Sequence, residues 1–391
     1  MEETIEPTVR RRPWRRWLTR GVGTVLVVTL GLYGWAWSSL DRSTLARALV
    51  WYDADVGDQY RFPSRLIPGQ GAGPLPGGGG IDLRSDDFLR ATDTSAFLVV
   101  HKDRLVYERY FGGADRRTRQ TSFSVAKSFV STLVGIAVAE GLIGSVEDPV
   151  TDYLPELARR DPRFAQIRLR HLLTMSSGLR YWKTDLPWPW DDDAFTYYGV
   201  DLRDIALNRT QIERPPGQEW RYNNYNPLLL GMVLERATGM PVSGYMSARL
   251  WQPLGAEADA TWNLDSARSG FEKMESGLNT TPVDSARLGL LFLHHGEWNG
   301  RRILPEAWVD AATAADTATD PAAFYQYFWW VDVERPGRFY AWGNHGQYIY
   351  VAPDADAVVV RNGRDSGVGN QRWLATFRNV ADQLAASGAR A

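Results

Sequence analysis

Ser124, Val125, Ala126 and Lys127 form the most chemically suggestive run in the chain. On a helix, residues three apart share a face, so Lys127 would point back at the Ser124 hydroxyl. A serine hydroxyl is a weak nucleophile and needs a base within hydrogen-bond reach. Lysine serves only when burial lowers its pKa, and the run that follows, through Gly141, is apolar on nearly every face. Lysine is scarce here: Lys102, Lys127, Lys183 and Lys273 are the only four among 44 Lys and Arg. Arginine cannot give up its proton, so a lysine at position 127 carries more meaning than usual. No other lysine has a serine three residues before it. Free N–H groups at a helix start can also hold a developing oxyanion.

Two further runs could complete such a site. Tyr222-Asn223-Asn224 follows the rigid Pro215-Pro216-Gly217 and precedes a helix opened by Pro227. A tyrosine there can relay protons to and from the serine. Asn224 can hydrogen-bond a substrate amide or Lys127. Gly343-Asn344-His345-Gly346-Gln347 opens the last hairpin, and small residues let backbone approach a ligand closely. Each run also has a plainer reading, as a packed loop tyrosine and as a tight turn.

The elements that must carry these groups follow from periodicity. SAFLVVH and RLVYERYF flank a polar break at Lys102-Asp103, and QYIYVAP and AVVVRN flank Asp354-Ala355-Asp356. Both pairs read as antiparallel hairpins. Between them the chain is mostly helical: Ser124–Gly141, a helix from Asn226-Pro227 to Gly239, Asp284–His295 and Pro305–Ala315, with Arg372–Ala386 closing the chain. The expected class is α+β, an antiparallel sheet built by both ends of the catalytic region, with helices flanking it and an inserted helical region.

Residues 1–40 read as a basic tail and membrane anchor. Arg10, Arg11, Arg12, Arg15, Arg16 and Arg20 precede the uncharged stretch Gly21–Leu40. About 20 apolar residues span a hydrocarbon core of about 30 Å, and the arginines should stay cytoplasmic. A cleaved signal is the alternative, but no clear small-x-small site precedes Asp41. The expected location is therefore a single-pass inner-membrane protein with its catalytic part outside the cytoplasm, or a secreted protein. Residues 41–80 read as a connecting segment, first a short folded or surface-lying stretch rich in aromatics to Pro68 and then a Gly/Pro-rich flexible linker or long loop, and 81–391 as the hydrolase domain.

Composition excludes several classes. A net charge of −2 offers no basic surplus for nucleic acid. Zero cysteines rule out disulfides and thiol catalysis. There is no G-x-S-x-G elbow and no H-E-x-x-H among the five histidines, so neither an α/β-hydrolase triad nor a metal or other cofactor is expected. Tyr181-Trp182 and Trp188–Asp193 suggest a pocket wall, lid or solvated surface loop.

TSFSVAKSFVSTLVGIAVAEG, HLLTMSSGL, RPPGQEWRYNNYNPLLLGMVLERATG and WGNHGQYIYVAPDADAVVV occur in that order over residues 97–360, with looser similarity back to 53–65. The set resembles the serine β-lactamase-like, penicillin-recognising hydrolases, in the branch of class C β-lactamases, esterases and 6-aminohexanoate-dimer hydrolases. The resemblance implies Ser124 as acylated nucleophile, Lys127 as base and Tyr222 as relay. It implies Asn224 as an auxiliary group and the N–H groups of Ser124 and Gln347 as oxyanion donors. The family usually carries K-T-G on its last site strand, where Asn344-His345-Gly346 aligns here; a one-residue shift would put His345 first but lose the glycine. Without that cation, a small ester or amide lacking a carboxylate is the expected substrate. Penicillin or D-alanyl peptide cleavage is the enzymatic alternative, and a catalytically silent binding protein of this fold the other.

Overall fold

A computed structural model describes residues 14–388 except 72, 84, 186–187 and 317–320, with side chains from 24 to 386. Its centre is a seven-stranded antiparallel sheet in the order β3-β2-β13-β12-β11-β10-β9. The strands are β2 (Thr94–His101), β3 (Arg104–Tyr110), β9 (Tyr325–Gln326), β10 (Trp329–Val331), β11 (Phe339–Gly343), β12 (Gln347–Ala352) and β13 (Ala357–Gly363). The two hairpins read from the sequence thus meet at β2 and β13, where Val99 pairs with Val359. Period-two alternation explains their continuous apolar character. Leu98, Val100, Ile349, Val351, Val358 and Val360 face one core. Phe97, Val99, Tyr348, Tyr350 and Val359 face the other, beneath the C-terminal helix Asn370–Gly388. The first core holds the helix Pro282–Leu293, which starts on a Thr281 N-cap with Pro282 in its first turn.

A smaller sheet in the order β1-β5-β6-β4 lies beside this layer. It is formed by β1 (Ser64–Ile67), β4 (Gln120–Thr121), β5 (Ala260–Asn263) and β6 (Leu278–Thr280). A minimal hairpin, β7 (Glu297–Trp298) with β8 (Arg301–Arg302), completes the strands.

The described residues before position 81 differ in part from their sequence reading. The first helix, α1 (Trp14–Ser38), exposes Val25, Leu26, Val27 and Leu30 by more than half. Among the described residues, however, no helix is long and apolar enough to cross a membrane. The arginine cluster and positions 21–23 of the expected anchor lie outside the residues whose side chains are described. The segment after it is no free connector. The helix α2 (Thr44–Trp51) packs on the helix Asp192–Tyr198, with Ala48, Phe62, Ala194 and Tyr198 in one small core. β1 pairs with β5. The Gly/Pro stretch is tied along the body, Gly69 N–H to Asp259 at 2.8 Å and Leu75 N–H to Glu257 at 3.0 Å. Composition suggests flexibility there, but fixed acceptors on the body order the backbone.

Candidate active site

After the short helix α3 (Asp86–Ala91), the chain enters the helix that carries the site, α4 (Ala126–Ala139). From Ala126 to Ala137 every residue of α4 is buried, as its all-round apolar pattern requires. Ser124 sits just before it, in a 3-10 turn over Phe123–Val125. Phe123 adopts φ 44°, a left-handed conformation rare for a bulky residue. Such strain persists only where packing over-determines it. Here the Phe123 ring lies 5.0 Å from His345 and 6.4 Å from Tyr197.

Lys127 is 1% exposed, and its Nζ lies 2.9 Å from Ser124 Oγ. Nζ also donates to the Glu275 carbonyl oxygen at 2.8 Å and sits 4.9 Å above the Tyr222 ring. Burial pulls its pKa down to about 7, against the opposing fields of Glu275 and Asp193 and with a small push from Lys183. A large fraction of neutral amine therefore exists near neutral pH.

Tyr222 is within hydrogen-bonding reach of Ser124, and burial raises its phenol well above the usual value. It stays protonated, so it can donate. Its ring stacks on Trp330 at 6.2 Å and packs edge-on to Tyr325 at 6.1 Å, which holds the hydroxyl in place.

Asn224 meets other partners than Lys127. Its Nδ2 donates to the Tyr181 hydroxyl at 3.0 Å and to Asp193 at 3.4 Å, and its buried Oδ1 has no partner. Asp193 also accepts from Tyr181 and pairs with Lys183 at 2.8 Å.

The final hairpin approaches through Gly343, the last residue of β11. A Cβ there would stand 2.4 Å from the Ser122 carbonyl oxygen and 3.0 Å from the Ser124 nitrogen. Only glycine lets the strand come this close to the nucleophile's N–H. Asn344-His345-Gly346 is not strand but the turn joining β11 to β12, with His345 at φ 57°. Asn344 is exposed and lines the cavity. His345 turns aside to the Ala54 carbonyl oxygen, Nε2 at 2.8 Å. The carbonyl of the buried Gly346 accepts from Arg361 at 2.6 Å. Gln347 is buried behind the turn, its amide bonded to Gly363 O at 2.7 Å and to Asn362 at 2.8 Å, and it does not line the cavity. The structure thus gathers Ser124, Lys127, Tyr222, Asn224 and Asn344, with Gly346 and Gln347 behind them.

These groups open into a cavity of about 780 Å³. The Trp188–Asp193 stretch supplies one wall, as one of its sequence readings proposed. Of the contributors that escaped sequence reasoning, two stand out. One is α2, with Ala48, Leu49 and the following Tyr52. The other is Glu275. The signal available for Glu275 was Lys273, a scarce lysine two residues away in FEKMES.

A serine against a buried, readily neutral lysine, beside the end of β11 in an antiparallel sheet that joins the two ends of the catalytic region, defines a serine hydrolase of the penicillin-recognising architecture. The family model described as Beta-lactamase matches residues 87–373, and the chain belongs to that family. It is 30% identical over 295 residues to the 6-aminohexanoate-dimer hydrolase of Paenarthrobacter ureafaciens, covering 70% of this chain and 73% of the relative. It is 34% identical over 175 residues to esterase EstB of Burkholderia gladioli, covering 40% and 44%. Among solved structures, a Bacillus anthracis protein described as a candidate 6-aminohexanoate-dimer hydrolase superposes with TM-score 0.73 at 24% identity, covering 83% and 91%. A penicillin-binding protein from Bacillus halodurans gives 0.61 at 19%, covering 77% and 100%; both confirm the fold.

Proposed function

We propose that this serine hydrolase cleaves a small ester or amide through an acyl-enzyme on Ser124. The observation that carries the reading is the 2.9 Å contact between Ser124 Oγ and a lysine whose pKa burial brings to about 7. Neutral Lys127 takes the hydroxyl proton as Oγ attacks the carbonyl carbon. The oxyanion is met by the Ser124 N–H and, in place of the expected Gln347 N–H, which lies off the cavity, by the backbone at the end of β11, where Gly343 approaches the Ser124 nitrogen. Tyr222 passes a proton to the leaving group, and the same groups then activate water against the acyl-enzyme.

The cavity's charges bear on the substrate. Among the described residues, Asp53, Asp185, Asp191, Asp193 and Glu275 line it against one ammonium, Lys183. Asn344 stands where the family usually carries a cation. Both features favour neutral or amine-bearing substrates over carboxylates, which speaks against penicillin or D-alanyl peptide cleavage. Of the two relatives, the esterase fits this preference, whereas an aminohexanoate dimer fits it through its free amine and not through its terminal carboxylate.

The reading includes a membrane tether with the catalytic part outside the cytoplasm. It rests on the arginine-flanked, uncharged stretch 21–40 and on the exposed apolar side chains of α1, which need an apolar cover. Recovery of the full chain in a carbonate-washed soluble fraction would defeat the tether. For the chemistry, the test is peptide mapping after exposure to p-nitrophenyl acetate and a serine-directed phosphonate. An adduct on Ser124, with turnover lost in Ser124→Ala, is expected; a phosphonate adduct elsewhere, or unchanged turnover in Ser124→Ala, would overturn the reading.

A further inference from the structure

Glu275 is bonded to both buried lysines. Its carbonyl oxygen accepts from Lys127 at 2.8 Å, and its carboxylate pairs with Lys273 at 2.9 Å. Lys273 and Glu275 are each 1% exposed. They stand on a tight turn closed by the Gly277 N–H to the Lys273 carbonyl oxygen at 2.7 Å. The turn is pinned to β5 by Lys273 N–H to Asn263 O at 2.9 Å and by the Trp262 indole to Lys273 O at 2.9 Å. The Lys273 ammonium donates to the Tyr197 carbonyl oxygen and lies 4.5 Å from the Phe62 ring centre and 4.3 Å from that of Tyr197. Glu275 Oε1 accepts from Lys273 and from Ser276 Oγ at 2.7 Å, whereas Oε2 is buried with no hydrogen-bond partner.

A carboxylate so served on one oxygen and bare on the other is costly to bury. Packing alone gives no reason to keep it beside the proposed base. The charges acting on Lys127 supply one. Glu275 and Asp193 both favour its ammonium form, while Lys183 opposes it, and the Tyr222 phenol is neutral. Each carboxylate has a cation of its own: Lys183 on Asp193 at 2.8 Å and Lys273 on Glu275 at 2.9 Å. Without these partners, two carboxylates would hold Lys127 as an ammonium ion, unable to accept the serine proton.

We propose that Lys273 and Glu275 are positioning residues for the base. The Glu275 carbonyl fixes Lys127 Nζ on Ser124, and Lys273 occupies the Glu275 carboxylate so that it cannot hold Lys127 charged. The inference rests on Lys127 being the base, and it makes the two members of the pair act in opposite directions.

The test is the pH dependence of kcat/KM on p-nitrophenyl acetate for the full chain, with Lys273→Met, Glu275→Gln and the charge-keeping Lys273→Arg. Lys273→Met is expected to move the acidic limb up by about one pH unit, because Glu275 is left uncompensated. Glu275→Gln should move it down, and Lys273→Arg should return it to the wild-type position. The pH dependence of Ser124 labelling by a phosphonate reads the same limb from the folded fraction alone. Glu275→Gln, nearly isosteric, carries the test should Lys273→Met not fold. Limbs that stay in place while rates fall, or that move the same way in both variants, would show the pair to be structural and overturn the inference. A wild-type profile with no acidic limb would sink the base assignment itself, and this inference with it.

Discussion

The start of α4 and the turn at 273–277 each bury a lysine to 1% exposure, yet they surround it differently. Lys273 touches a carboxylate, a carbonyl oxygen and two aromatic faces, partners that all suit an ammonium ion. Lys127 touches a hydroxyl, a carbonyl oxygen and one aromatic face, with no carboxylate in direct contact among the described residues. Burial lowers the pKa of both. What separates the structural cation from the proposed base is whether burial is answered by a contacting charge.

The sharpest way to break this comparison is one conservative change made at both sites. Lys127→Arg should reduce kcat/KM by roughly a thousandfold or more, because a guanidinium cannot take the serine proton. The same change at Lys273 should cost far less; equal losses in steady-state assays would erase the distinction. Tyr222→Phe comes next. It keeps the ring stacked on Trp330 and removes the relay, so kcat should fall by about 10²-fold with little change in melting temperature. A matching loss of stability would make Tyr222 a packing residue.

The protonation state of Lys127 supplies two smaller effects. Activity should rise about tenfold per pH unit below the pKa of about 7 and level off above it, as a stopped-rate series can show. A flat profile would remove Lys127 from the base role. Stability carries the opposite face of the same shift. The folded-state pKa, about 7, lies below lysine's ordinary 10.5, so the unfolded chain binds more protons between these values. The penalty is therefore full below about pH 7 and fades as pH rises towards 10.5. Lys127→Met should raise the melting temperature at pH 7 and gain little at pH 10.5; a constant difference would mean the gain is packing alone. Least of all, Asn344→Lys should improve carboxylate-bearing esters over neutral ones by a few fold in kcat/KM, and unchanged relative rates would show that this position does not read the substrate.

Much of the frame was legible along the chain because it depends on short-range periodicity. Both hairpins, the buried helix after Ser124 and the helix ending at Gly239 stand where alternation, all-round apolarity and end signals put them. The spacing of Ser124 and Lys127 also needed only a helical turn to become a contact. Other features did not show. Asn344-His345-Gly346 could be read as a motif on a strand or as a tight turn, and the positive φ of His345 with the Arg361 contact to Gly346 decides for the turn. That places Gly343, one residue earlier, against Ser124.

Sequence thus pointed to the chemistry proposed, since a serine, a lysine and a tyrosine on predictable local elements suit it and arginine bias singled out the lysine. The fold settled the terms on which that chemistry runs. Whether a lysine is neutral depends on which charges surround it, and those come from Glu275, Asp193 and Lys183, between 56 and 148 residues away in the chain. The cavity wall likewise borrows α2 from a segment that composition marks as a connector. Electrostatic environment and cavity shape are sums over residues brought together by packing, and no local pattern encodes them.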